Sequence, residues 1–240
     1  MPGISRRAVV SGGGAILVAG LAACVNTPAP QPQMALPWEP PEPDLAPEPS
    51  PERPPESYAI YGPVPGERFP VPAAPLSRIN PAFLRRRVAF PTQEAPGTVI
   101  VDPRQRYLYL VEEGGRATRY GVGVGREGFA WSGTATINDK QEWPDWYPPK
   151  EMIQRQPEIR KELTQLPGGL GVPGGPRNPL GARAMYLWQN GKDTLYRIHG
   201  TVEPWTIGTN VSSGCIRMIN QDAIDLYDRV PLGTKVVVLA

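Results

Sequence analysis

"IHGTVEPWTIGTNVSSGCIRM", residues 198–218, decides how this chain is read. It carries the only histidine of the 240 residues, His199, and one of two cysteines, Cys215, sixteen positions further on. The stretch starts at the end of "LYRIHG" (195–200), which reads as a strand. Gly200, Pro204 and Gly208 then let the chain fold back, so that His199 can come within reach of Cys215. Spacing alone does not decide it. A thiol is a modest nucleophile at neutral pH, and a neighbouring imidazole takes its proton and leaves the reactive thiolate. Gly214 gives the backbone room for a tight turn and a close substrate, and N–H groups there can face an oxyanion. The carbonyl or side chain of Ser212 is placed to orient the second imidazole nitrogen, and Arg217 suits a substrate carboxylate. The competing reading is a buried structural cysteine and an unrelated surface histidine. A zinc site is weaker, because one histidine and one cysteine leave the remaining ligands to carboxylates without ligand spacing.

Around this stretch the chain reads mainly as β. Strands are expected at "GTVIVD" (97–102), "RYLYLVEE" (106–113), "ATRYGVGVG" (117–125), "GTATINDKQEW" (133–143), "RAMYLWQ" (183–189) and "TKVVVL" (234–239). "PEIRKELTQL" (157–166) reads as a short helix opened by proline, and 167–181 as a long Gly/Pro loop. "NQDAIDLYDRV" (220–230) reads as an amphipathic helix begun by Asn220 or Asp222, with Ala223, Ile224, Tyr227 and Val230 on one side. "GVGVG" lacks the strand–GxGxxG–helix context of a dinucleotide site.

Upstream the composition changes. Of 32 prolines, 20 lie between residues 25 and 96, and such a segment lacks the backbone donors for a packed core. Residues 24–96 therefore read as an extended tether, at about 3.1 Å per residue able to reach on the order of 200 Å. An ordered extension is expected within 58–92, where Arg85, Arg86 and Arg87 suggest a solvated face or a contact with an anionic polymer. The first 23 residues carry Arg6 and Arg7 and then a short apolar run that ends in "LAAC", Leu21 to Cys24. The run is too short to span a membrane. It resembles a bacterial lipobox, in which Cys24 is lipidated and anchors the protein to a membrane, and "SRR" is a weak twin-arginine feature. Val25 and Asn26 carry no aspartate retention signal, which favours the outer over the inner membrane of an envelope with two. Residues 1–23 hold both surplus positive charges of the formal net +2. The remainder is near neutral, and nothing favours nucleic acid as a partner.

"HGT" (199–201) followed by "IG" and "SSGCIRM" resembles the active-site signature of the L,D-transpeptidase family of peptidoglycan enzymes. "RNPLGARAMYL" (177–187), "WYPPKEMI" (146–153) and "INQDAIDLYDRVPLGTKVVV" (219–238) agree, so the resemblance spans 97–240. It implies a mostly β, sandwich-like catalytic domain with one or two short helices. It further implies Cys215 as nucleophile, His199 as general base and Ser212 as the carbonyl that orients the imidazole. Gly214 would lie at the oxyanion site, and Ser213, Gly200, Thr201, Arg217 and Trp205 would surround the substrate, with Trp146 and Tyr147 as further cleft walls. Many members carry a histidine where this chain has Ser213, which leaves His199 to act alone. The implied donor is a peptidoglycan tetrapeptide stem. The acyl acceptor would be the amine of another stem or of an envelope protein, or water in a carboxypeptidase. No metal or organic cofactor is implied. A non-catalytic wall-binding tether is the remaining alternative.

Overall fold

The computed structural model describes residues 56–125, 131–212 and 215–240. The expected signal segment, the Cys24 anchor, the tether up to residue 55, Ser213 and Gly214 lie outside the described residues.

The strands, in chain order, begin with β1 (Arg86–Ala89), β2 (Val99–Asp102), β3 (Tyr107–Glu112), β4 (Arg116–Gly121), β5 (Val124–Gly125) and β6 (Gly133–Glu142). After helix α1 (Lys150–Arg155) come β7 (Thr164–Leu166), β8 (Gly169–Gly171), β9 (Arg183–Gln189), β10 (Lys192–His199), β11 (Asn210–Ser212) and β12 (Ile216–Arg217). Helix α2 (Asn220–Arg229) and β13 (Lys235–Val238) close the chain. Nine strands form one sheet in the order β1–β4–β3–β2–β13–β6–β9–β10–β12. The pairs β2–β13 and β10–β12 are parallel and the other six antiparallel.

The central strands are apolar at consecutive positions because both of their faces are covered. Val99, Val101, Leu108, Leu110, Val236 and Val238 enter the main core, while Ile100, Tyr109 and Val111 pack on the other face with Val88 and Phe90. Tyr120, near one end of the sheet, and Ile216, at the other, share that main core. The sheet must curl for them to meet. The curl is completed by Gly123, just past β4, whose N–H and C=O bond the main chain of Arg217 at 2.9 and 2.8 Å.

Helix α2 covers the core with Ala223, Leu226 and Val230, spaced i, i+3, i+7 as one helical face requires. Ile224, expected on that side, packs instead with Val71, Trp143 and Ala182. The N-cap is Ile219, without a side-chain cap bond, because Asn220 and Asp222 have other partners. The helix expected over 157–166 is not formed. Lys150–Arg155 is helical; Pro157, which has no N–H to donate, opens a 3-10 turn over Pro157–Glu162. Thr164–Leu166 then pairs with Gly169–Gly171 around Pro167 and Gly168.

Residues 56–90 pack onto this domain. Tyr61, Ile79 and Leu84 cluster with Ile207 and Ile219, and β1 pairs with β4. Of the three arginines, only Arg87 is exposed, bonded to Glu112. Arg85 turns inward to Asp222 and Asp225. Buried Asp222 also accepts the Tyr61 hydroxyl at 3.1 Å. Glu67 takes both guanidinium N–H groups of buried Arg183 at 2.7 Å each and the Trp143 indole N–H at 3.0 Å.

Candidate active site

The site is built where β10 meets β12. The parallel register sets Ile198 beside Ile216 and His199 beside Arg217. Both isoleucines point into the main core. Side chains alternate along a strand, so His199, Arg197 and Arg217 occupy the opposite face. One residue before β12, Cys215 continues that alternation on the same face, beside Arg197. His199 and Cys215 are thus brought to one face from neighbouring chain segments, two register positions apart.

His199 is 3% exposed. Its Nδ1 lies 2.5 Å from the Gly200 carbonyl. A carbonyl only accepts, so Nδ1 carries the proton and the lone pair of the neutral ring sits on Nε2. Burial pushes the imidazole down to about 4; the Gly200 carbonyl opposes this, the charges of Arg217 and Arg197 add to it, and the Leu180 carbonyl opposes it weakly. Half-buried Cys215 is pushed up by burial, against the Arg197 main chain and the charges of Arg197 and Arg217. Both groups are therefore neutral at rest. The arrangement suits proton transfer to an imidazole during attack and not a standing thiolate–imidazolium pair.

Ser212 was expected to supply the carbonyl on the second imidazole nitrogen. The structure corrects this: Gly200, adjacent to His199 in the chain, supplies it, and Ser212 pairs with Gly125 in a separate two-stranded sheet. Arg217 donates to Glu203 at 3.3 Å. Thr201 is buried and its hydroxyl accepts the Glu203 N–H at 3.1 Å. Trp205 is exposed, with the Arg78 guanidinium 3.9 Å above its ring. A groove of about 320 Å³ runs past Thr201, Trp205, Asn220 and Trp143 and is walled on its far side by residues 70–75. Neither the pair His199 and Cys215 nor Trp146 and Tyr147, expected as cleft walls, line this groove; the Trp146 main chain bridges to Val172 and the Tyr147 hydroxyl accepts the Gly168 N–H.

Sequence reasoning read Asn220 only as a helix start. In the structure its Oδ1 accepts the Ala182 N–H at 3.0 Å and sits against Gly181 and Gly200. The available signal was the pair of glycines, one of them beside the histidine.

Residues 96–238 match the model of the YkuD family, the L,D-transpeptidase catalytic domain. Probable L,D-transpeptidase ErfK/SrfK of Escherichia coli (strain K12) is 32% identical over 160 residues, covering 64% of this chain and 47% of that protein. Probable L,D-transpeptidase YbiS of the same strain is 32% identical over 155 residues, 63% and 47% of the respective chains. The chain spans about half the length of the curated relatives it matches. A solved structure, Probable carnitine operon oxidoreductase caia from Brucella melitensis, is 55% identical over 67% of this chain and 96% of its own, with a TM-score of 0.46. That reaction is named for the Brucella protein alone. In this chain the Gly121–Gly125 run lies across β4 and β5, and Gly123 joins a sheet, which is not the setting of a dinucleotide loop. With more than half of its length matched to that catalytic domain, the chain belongs to the L,D-transpeptidase family.

Proposed function

We propose that the chain is a peptidoglycan L,D-transpeptidase with Cys215 as nucleophile and His199 as general base. The observation that carries this reading is the β10–β12 register, Ile198 beside Ile216 and His199 beside Arg217. It turns the imidazole and the thiol to one face while two isoleucines anchor the other. The donor is a tetrapeptide stem. Cys215 Sγ attacks the carbonyl at the L-centre of the diamino acid as its proton passes to His199 Nε2. The amide bond to terminal D-alanine breaks, and D-alanine leaves with that proton. An amine then attacks the thioester and frees the thiol, giving a 3–3 cross-link if the amine belongs to another stem, or an attached envelope protein if it belongs to one. Arg217 and Trp205 are proposed substrate contacts, and Ser213 and Gly214 with the Cys215 N–H the oxyanion site. The chemistry needs no cofactor. From the "LAAC" run we also propose export and lipid anchoring through Cys24, with the domain in the periplasm on an outer-membrane tether.

Incubation with disaccharide-tetrapeptide fragments, with and without an added amine, tests the reaction. Release of D-alanine with a cross-linked dimer or amine adduct is expected, and none from Cys215→Ala. D-alanine without any transfer product would make the enzyme a carboxypeptidase, and no release would leave a wall-binding tether. A carbapenem should add covalently to the wild type and not to Cys215→Ala by intact mass. His199→Ala should slow that acylation by roughly a hundredfold or more; equal rates would remove His199 from the mechanism.

A further inference from the structure

We propose that Asn220, which belongs to neither strand of the site, is the positioning residue of the catalytic base. Its side-chain oxygen, seated between Gly181 and Gly200, holds the Gly200 carbonyl against His199 and so fixes which imidazole nitrogen carries the proton. The role as base rests on the transpeptidase reading; the positioning of the ring does not.

The contact is unusually close because two glycines make room for it. Asn220 Oδ1 accepts the Ala182 N–H at 3.0 Å. A Cβ added to Gly200 would lie 2.1 Å from that oxygen, and one added to Gly181, whose φ is +63°, would lie 2.2 Å from it. Real Cβ atoms do not approach an oxygen so closely, so no other residue fits either position while Asn220 stays where it is. Gly200 is held from its other sides as well. Its N–H donates to the Arg183 carbonyl at 2.9 Å, and the His199 carbonyl before it accepts the Met218 N–H at 2.8 Å. The one remaining group of Gly200, its carbonyl, meets His199 Nδ1.

Asn220 is itself fixed by its neighbours on α2. Gln221 donates to the carbonyls of Gly62 and Pro72 at 3.0 and 2.9 Å. Asp222 takes the Tyr61 hydroxyl and pairs with Arg85. These two anchor the helix start to residues 56–90, and Asn220 reaches the other way, to the histidine loop. It also lines the groove, so removing its side chain both frees Gly200 and lets water toward a buried ring.

The chain contains one histidine, so long-range proton–nitrogen NMR of the labelled protein reads the tautomer and titration of His199 alone. The charges acting on that ring are Arg197 on its own strand and Arg217 on the neighbouring one; Cys215, Tyr186 opposite Arg197 on β9, and the carboxylates of Asp193 and Glu203 that bond the two arginines are the further titratable groups around it, and the variants leave all of them in place. Wild type is expected as the Nδ1–H tautomer. Asn220→Ala should give a mixture of tautomers, a midpoint raised by roughly one unit or more as burial is relieved, and acylation slowed about tenfold by the mispositioned base. Asn220→Asp keeps Oδ1 and should keep the Nδ1–H tautomer. Gly200→Ala should be worse than Asn220→Ala, and the double variant should recover part of that loss, because the overlapping oxygen is gone. An Asn220→Ala protein with the wild-type tautomer and midpoint would overturn the proposal, as would an Asn220→Asp protein that loses as much as Asn220→Ala. If the wild type transfers no acyl group, the transpeptidase reading fails while the NMR comparison still decides the role of Asn220.

Discussion

The buried imidazole makes the stability of the fold depend on acid in a calculable way. His199 ordinarily titrates near 6.5 and is pushed down to about 4 in the fold. Below 6.5 the unfolded chain takes up a proton that the folded chain refuses, so stability falls as pH drops and levels off once the folded group also protonates. The shift is about 2.5 units, and at about 1.36 kcal/mol per unit the full cost is about 3 kcal/mol, with about 2 kcal/mol already lost at pH 5. Other groups move the absolute curve. Asp222 is pushed up to about 7 by burial, against Arg85 and the Tyr61 hydroxyl, so acid relieves it. Glu112 is pulled down to about 2 by the Thr118 hydroxyl and then by Arg87 and Arg229, so its contribution is lost only in stronger acid. Both remain in a His199→Gln variant and cancel in the comparison. Urea unfolding of the two proteins at pH 7.5 and pH 4 should show the wild type losing about 3 kcal/mol more than the variant. Parallel pH profiles would mean that the ring is protonated or solvated in the folded state, and the neutral general base would have no basis.

Two more expectations follow from the same geometry. Glu67→Ala leaves the Arg183 guanidinium, 6% exposed, without its carboxylate partner, and should cost about 3–5 kcal/mol in urea unfolding; a loss below about 1 kcal/mol would show that the N-terminal segment is not fastened there. Because burial raises the Cys215 thiol, alkylation by iodoacetamide should still be accelerating at pH 9, whereas a plateau near pH 7 would indicate a preformed thiolate.

The candidate pair stood out in the sequence because each member is rare. A single histidine at the end of a strand pattern and a single cysteine beyond Cys24 leave few pairings to consider. The carbonyl on His199 was not legible, since main-chain groups have no sequence signature; the resemblance put the Ser212 carbonyl where the structure has that of Gly200. The strands of the centre were legible from their consecutive apolar residues, and their bounds shifted by only a residue or two. The helix before the Gly/Pro loop was misplaced because Pro157 reads equally as a helix opener and as a helix end, and Lys150–Arg155 uses it as the end. Arg85 read as part of a charged surface run. Its burial depends on Asp222 and Asp225, more than a hundred residues away, and no local pattern announces such a partner.

The register of β12 ties the core to the chemistry. A shift by one residue would turn Ile216 outward and send Cys215 into the apolar core. Two paired residues are a weak hold on a parallel strand, so the register must be set from elsewhere. Ile216 and Met218 bury on the core side, which favours the observed phase by about 1.5–3 kcal/mol for each side chain. The Met218 N–H on the His199 carbonyl fixes the strand relative to β10. On the other edge the two bonds between Gly123 and Arg217 fix it relative to β4. A Cβ on Gly123 would stand 3.0 Å from the Thr206 carbonyl, so this closure also depends on a small residue at one point. The strand that follows Cys215 is therefore held on both edges and from the core, and its register against the His199 strand is fixed by these contacts.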